Sequence, residues 1–176
     1  MSGITSRKCR LADLNAVGRQ EFVGTLGGIF EHSPWVAEAV VEERPFASVE
    51  ALLAALVRAV RTSAPERQLA LIRAHPDLAG RLARQGELTP ESRREQAAAG
   101  LSAADPATLA RINELNAAYR ARFDFPFIIC ARLNNVQTIL EAMERRLGND
   151  PAVERATALE EIEKIARLRL MDFVED

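Results

Sequence analysis

Cysteine, histidine and aromatic residues are all scarce in this 176-residue chain. Its two cysteines, Cys9 near the start and Cys130 inside an apolar run, are too differently placed to be a disulfide framework, which reads as a reducing compartment. Two histidines, His32 and His75, are too few for a histidine-built metal site. Aromatics make up only 5%, while Ala, Leu, Arg and Glu dominate, a balance that disfavours sheet and favours helix. No apolar run is long enough to cross a bilayer, and the first residues lack a signal-peptide core. The last four, Phe173-Val174-Glu175-Asp176, are not a peroxisomal address, so a cytoplasmic protein is expected. A net charge of −2 gives no electrostatic reason to expect nucleic acid or an anionic membrane as partner. Also missing are a Gly-rich phosphate loop, a Gly-x-Ser-x-Gly elbow, Cys-x-x-Cys, His-Glu-x-x-His and paired Glu-x-x-His motifs. Two classes survive: acid–base chemistry without a cofactor, and a helical interaction module with no chemistry.

What is present is an ordinary globular balance, 48% hydrophobic and 27% charged, in a length suited to one domain. The expected fold is all-α, a single compact domain of about eight helices over 1–176, with a loose N-terminal arm over 1–12. Helical spacing begins near Asp13 with Leu14, Val17, Phe22 and Leu26, and Gly27-Gly28 and Ser33-Pro34 interrupt it. A short helix from Trp35 to Glu43 stops at Pro45; Ser48 caps the next, through Leu52, Leu53, Leu56, Val57 and Val60. A helix from Pro65 ends before His75-Pro76, because the residue preceding proline is pushed out of the α region. Asp77 to Leu82 suggests a short helix. Thr89-Pro90-Glu91 opens a further one that closes at Gly100. Asp105-Pro106 and Asp150-Pro151 open helices to about Arg122 and Phe173, with another over Val136 to Leu147 between them.

Several residues admit both a functional and a plain reading. His75 is either a helix C-terminal cap or a general acid–base group held by a rigid proline turn. His32 is more simply a cap or core-edge residue. Ser92, Glu95 and Gln96 share one helix face, either solvated or forming a hydrogen-bonding wall for a small polar heterocycle. Phe125-Pro126-Phe127-Ile128-Ile129 is core by composition, yet Pro126 breaks helical pairing and leaves backbone groups that an amide-rich ligand would satisfy. Arg169, between Leu168 and Leu170, is a snorkelling arginine or a fork for a carboxylate. The strip Ile162, Ile165, Leu168 and Met171 reads as core, or as a subunit seam.

Taken in order, these pieces resemble the 2-oxo-4-hydroxy-4-carboxy-5-ureidoimidazoline (OHCU) decarboxylases. The matching series runs Phe30-Glu31-His32-Ser33-Pro34-Trp35-Val36, then Ala74-His75-Pro76-Asp77-Leu78-Ala79, then Leu88-Thr89-Pro90-Glu91-Ser92 with Glu95-Gln96 and Ala99-Gly100-Leu101. Leu115-Asn116 with Tyr119, Phe123 to Ile129, and Ile165 with Leu168-Arg169-Leu170 complete it. The resemblance implies an all-α homodimer, without metal or organic cofactor, that converts OHCU to (S)-allantoin and carbon dioxide in urate degradation. It implies His75 and Glu95 as catalytic residues. It also implies substrate contacts from Pro76, Ser92, Gln96, Arg169 and the backbone of Phe127, Ile128, Ile129, Cys130 and Ala131, which meets the ligand's ureido and ring amides. From the chemistry of the step, N–H groups around Ile128 to Cys130 are expected to meet the developing oxyanion. A relative that has drifted to another ureido or hydantoin substrate is the alternative within the same chemistry.

One departure from the family pattern stands out. A basic residue and then a glycine are expected after the Phe-Pro-Phe-Ile segment, and here the run is Arg132-Leu133-Asn134-Asn135. Asparagine tolerates the left-handed region, so the turn is expected to form through Asn134.

Overall fold

Short polar side chains set several of the helix starts. Ser48 Oγ accepts from the Ala51 N–H at 3.0 Å and opens a helix at Val49, as its position predicts. Asp105 accepts from the Ala107 and Thr108 N–H groups, with Pro106 at the first helical position. Asn135 and Thr138 cap one another reciprocally, and Asp150 accepts from the Ala152 N–H at 2.8 Å ahead of Pro151. These local bonds satisfy donors that have no partner inside a first helical turn.

The computed structural model describes residues 8–76, 78, 94, 95 and 97–176. Among them the fold is all-α apart from one two-residue strand pair. The elements are β1 (Cys9–Arg10), α1 (Leu11–Ala16), α2 (Arg19–Leu26), α3 (Trp35–Val40) with a 3₁₀ turn at Val41–Glu43, α4 (Val49–Arg61) and α5 (Pro65–Ala74). After a 3₁₀ turn at Leu101–Ala103 come α6 (Pro106–Phe123), a 3₁₀ turn at Ala131–Leu133, α7 (Val136–Arg146), α8 (Pro151–Phe173) and β2 (Val174–Glu175). The chain divides into two compact units, one of 1–68 with 165–176 and one of 69–164.

In the first unit α4 lies against α3, and α3 against α2. Leu52, Leu56 and Val60 recur on the buried face of α4, and Phe22, Leu26, Phe30, Val36 and Val40 are among the other buried core residues. Burying one such side chain fully stabilises by about 1.5–3 kcal/mol. The first helical stretch is two helices, not one: Val17 is extended at φ −71°, ψ 160°, and Gly18 starts α2. Where a loose arm over 1–12 is expected, Cys9 and Arg10 pair in parallel with Val174 and Glu175, and α1 begins at Leu11. The Lys8 ammonium donates to the Met171 carbonyl at 2.7 Å beside that pair.

In the second unit α6 contacts α7. The inward face of α6 carries Ile112, Leu115, Asn116, Tyr119 and Phe123. Asp124 then takes a left-handed conformation (φ 60°, ψ 26°) and returns its N–H to the Arg120 carbonyl, which ends the helix. Phe123, Phe125 and Phe127 gather on Tyr119, with ring centroids 4.6, 5.8 and 5.3 Å from its own. Asn134, expected to be left-handed, is extended at φ −135°, ψ 170°. Its side chain does the work instead, donating to the Cys130 carbonyl at 2.9 Å, so no glycine is required there. The Asp77–Leu82 and Thr89 helix starts lie outside the described residues.

Candidate active site

His75 follows directly on the last residue of α5 and is almost wholly buried. Its N–H donates to the Ile72 carbonyl, and Pro76 prevents the helix from continuing. The Nδ1 atom lies 3.3 Å from the Leu71 carbonyl oxygen. A carbonyl can only accept, so this contact is a hydrogen bond in the tautomer that carries its proton on Nδ1. The neighbouring Arg73 is turned away, its guanidinium donating to the Asp124 carbonyl at 3.1 Å and pairing with the Asp124 carboxylate.

Glu95 is also buried, on a helical stretch shared with Arg94, Ala97 and Ala98. Its carbonyl accepts from the Ala99 N–H, and Gly100 closes the stretch at φ 72°, a conformation that favours glycine. A solvated face would have left Glu95 exposed; its carboxylate is instead inside the second unit. Ser92 and Gln96, expected on the same face, lie outside the described residues.

The segment from Phe127 to Ala131 is buried throughout, and its backbone is held from one side by charge. Arg146 Nη1 donates to the Ile128 carbonyl at 2.8 Å while Nε donates to Glu154 at 2.6 Å. Glu154, with no exposed surface, accepts also from the Tyr119 hydroxyl at 2.5 Å and the Asn149 amide at 2.8 Å. Burial, then the bond to Glu154, pushes the Tyr119 phenol far above its ordinary range. Two residues along, the Cys130 N–H donates to Glu161 at 2.8 Å, and Lys164 donates to the other Glu161 oxygen at 2.5 Å. The Cys130 N–H, one of the groups expected around the oxyanion, is here bonded to Glu161. The Cys130 thiol is pushed up by burial first, then by Glu161, with Glu95 contributing in the same direction. Glu95 therefore lies within electrostatic reach of this segment. Among the described residues no protein group bonds to the N–H or C=O of Ile129.

Arg169 belongs to the first unit. Its Nη1 is 2.8 Å from Glu31 Oε2, and both side chains are 5% exposed, so it is a buried, carboxylate-paired arginine rather than a snorkelling surface one. Ser33 Oγ donates to the Glu31 carbonyl, and His32 between them sits at φ 50°. Sequence reasoning missed Arg146, Glu154 and Glu161. The available signal was a charge at helical spacing on an apolar stripe: Arg146 after Ile139 and Met143, and Glu161 between Ala158 and Ile165.

The family model described as OHCU decarboxylase matches residues 15–171. A 2-oxo-4-hydroxy-4-carboxy-5-ureidoimidazoline decarboxylase from Amia calva is 46% identical over 165 residues, covering 94% of each chain. A crystal structure of (S)-allantoin synthase superposes with a TM-score of 0.76 at 34% identity, covering 94% of this chain and 54% of the other. The chain thus spans about half the length of that solved protein. A crystal structure of OHCU decarboxylase in the presence of (S)-allantoin matches with a TM-score of 0.63 at 29% identity, over 77% of this chain and 87% of the other. A match over residues 15–171, which takes in the ordered series from Phe30 to Leu170, means that this chain belongs to the OHCU decarboxylase family.

Proposed function

We propose that this chain decarboxylates OHCU and delivers (S)-allantoin, a step of urate degradation. The observation that carries the reading is the buried His75 at the end of α5, whose Nδ1 lies 3.3 Å from the Leu71 carbonyl oxygen. In this reading the proton sits on Nδ1 and Nε2 exchanges protons with substrate. Loss of carbon dioxide breaks the bond between the carboxyl and the ring carbon that also bears the hydroxyl. The electron pair passes into the conjugated ring as an enolate-like system. The hydroxyl proton then leaves to become a ring carbonyl, and a proton enters at the carbon that bears the ureido group. That last proton sets the handedness of the product.

In the proposal His75 takes the hydroxyl proton and returns a proton to one face, while Glu95 orients the imidazole. The Ile129 N–H donates to developing negative charge and its C=O accepts from a ring or ureido N–H; donors fixed in place before reaction stabilise such charge without reorganisation. Pro76, Ser92, Gln96, Phe127, Ile128, Cys130 and Ala131 shape the rest of the pocket, and Arg169, oriented by Glu31, is a further substrate contact. The family match runs through both compact units, which supports reading them as one catalytic domain. The resemblance supports a cytosolic homodimer, and sedimentation at twice the chain mass is the expected result. Among the described residues no helix is long and apolar enough to cross a membrane.

Circular dichroism of allantoin formed from freshly generated OHCU tests the reaction. Protonation of a planar intermediate in water has no facial preference and yields racemate, so the protein is expected to produce a fast (S)-allantoin signal. His75→Ala should slow it by about 10²–10⁴-fold and erode the handedness. Racemic allantoin forming at the uncatalysed rate, with folded wild-type protein present, sinks the proposal.

A further inference from the structure

We infer that Glu161, acting together with the Arg146–Glu154 pair, is a positioning residue that grips one edge of the Ile128–Cys130 backbone and so presents the Ile129 N–H and C=O to substrate. The inference rests on the decarboxylase reading and deepens it.

Three observations converge. In a non-helical, extended stretch, the N–H and C=O groups of alternate residues face opposite edges. The Ile128 carbonyl and the Cys130 N–H fall on one edge, and each is held by a charged side chain, Arg146 at 2.8 Å and Glu161 at 2.8 Å. Both Ile129 groups fall on the other edge and have no protein partner among the described residues, although Ile129 is buried. Buried backbone groups are almost always paired, so such an open donor–acceptor pair calls for a ligand. A ureido group or a ring amide, which carries N–H and C=O side by side, answers it with two bonds.

The third observation concerns why these charges are there. Arg146, Glu154 and Glu161 are buried or nearly so, and apolar residues of similar volume would usually serve packing as well or better. Their bonds go to the backbone of the substrate segment, or to the group that holds it. Glu154 fixes Arg146 through Nε, which leaves Nη1 aimed at Ile128. Lys164 neutralises Glu161 without displacing it from Cys130. Two rigid side chains thus replace the neighbouring strand that an exposed sheet edge would otherwise have.

The test compares wild type with Glu161→Leu and Glu161→Gln on OHCU, reading kcat/KM and the enantiomeric excess of allantoin, after far-UV circular dichroism has verified folding. Glu161→Leu should lower kcat/KM by about 10²-fold, the scale of a small misplacement of substrate. It should also reduce enantiomeric excess. Glu161→Gln, whose amide oxygen still accepts from Cys130, should restore most of both. A Glu161→Leu protein with wild-type kcat/KM and enantiomeric excess overturns the inference, even if it melts earlier. Should Glu161→Leu not fold, Arg146→Lys, which keeps a charge for Glu154 but loses the fork, must show the same drop, and its absence counts against the grip. Inactivity of wild type on OHCU would instead refute the proposed function. Hydrogen exchange then judges the grip alone: the Cys130 amide must be protected in wild type and exposed in Glu161→Leu, and equal protection overturns it.

Discussion

Replacing Glu154 by leucine tests the buried network beneath the Phe127–Ala131 segment most directly. Glu154 is fully enclosed and accepts three hydrogen bonds, from the Tyr119 hydroxyl, Arg146 Nε and the Asn149 amide. Leucine removes all three and leaves the Arg146 guanidinium buried without its counter-charge. Breaking a buried pair from one side costs about 3–5 kcal/mol, and an orphaned buried hydroxyl about 1–3 kcal/mol. Neighbouring effects do not add, and the new apolar side chain returns roughly 1–2 kcal/mol. A net loss of about 4 kcal/mol is expected, or roughly 10 °C in Tm for a chain of this size. Urea denaturation of wild type, Glu154→Leu, Arg146→Met and the double variant closes the cycle. The double variant, with both charges gone, should be more stable than Glu154→Leu by at least about 1 kcal/mol. It should not reach wild type, because the Ile128 carbonyl and Tyr119 hydroxyl still lack partners. A loss below about 1 kcal/mol in Glu154→Leu, or a double variant weaker than that single, would falsify the account of this network.

Other consequences are open to measurement. The Cys130 thiol, raised by burial and by Glu161, should react with maleimide far more slowly than the half-exposed Cys9, and equal rates would contradict its enclosure. Cys130 and Tyr119 both have raised folded values, so the stability they contribute is complete below their unfolded values of 9.0 and 10.0. It is lost as pH rises beyond those values. Tm should therefore fall between pH 8 and 10.5, and a flat profile would refute the assignment. Asn116 is buried on α6, and among the described residues neither amide atom has a hydrogen-bond partner, so Asn116→Leu should raise stability by about 1 kcal/mol in urea denaturation. A destabilised variant would mean that the amide is satisfied after all. Glu31→Ala should destabilise by about 3 kcal/mol by removing a buried counter-charge of Arg169, with Glu31→Gln milder, and a thermal melt unchanged in both would remove the pair from the stability account.

Much of the scaffold was legible because its causes are local. Ser48, Asp105-Pro106 and Asp150-Pro151 each bond donors two or three residues away, so short stretches of sequence contain the whole reason for a helix start. His75 before Pro76 was legible for the same reason: the helix must end there, and the histidine must sit at that end. The ordered motifs also determined the family, because the matching residues can be compared without knowing what they touch. The break at Val17-Gly18 escaped, since the apolar spacing of Leu14, Phe22 and Leu26 continues across it. Only tertiary structure decided the partners of the buried charges. Tyr119 meets Glu154 across 35 residues, Cys130 meets Glu161 across 31, and Arg169 meets Glu31 across 138. Periodicity shows that such a residue faces inward, but a charge removed from water is satisfied by whichever opposite group the fold brings within about 3 Å. That proximity is a property of the packed helices and not of any stretch of sequence.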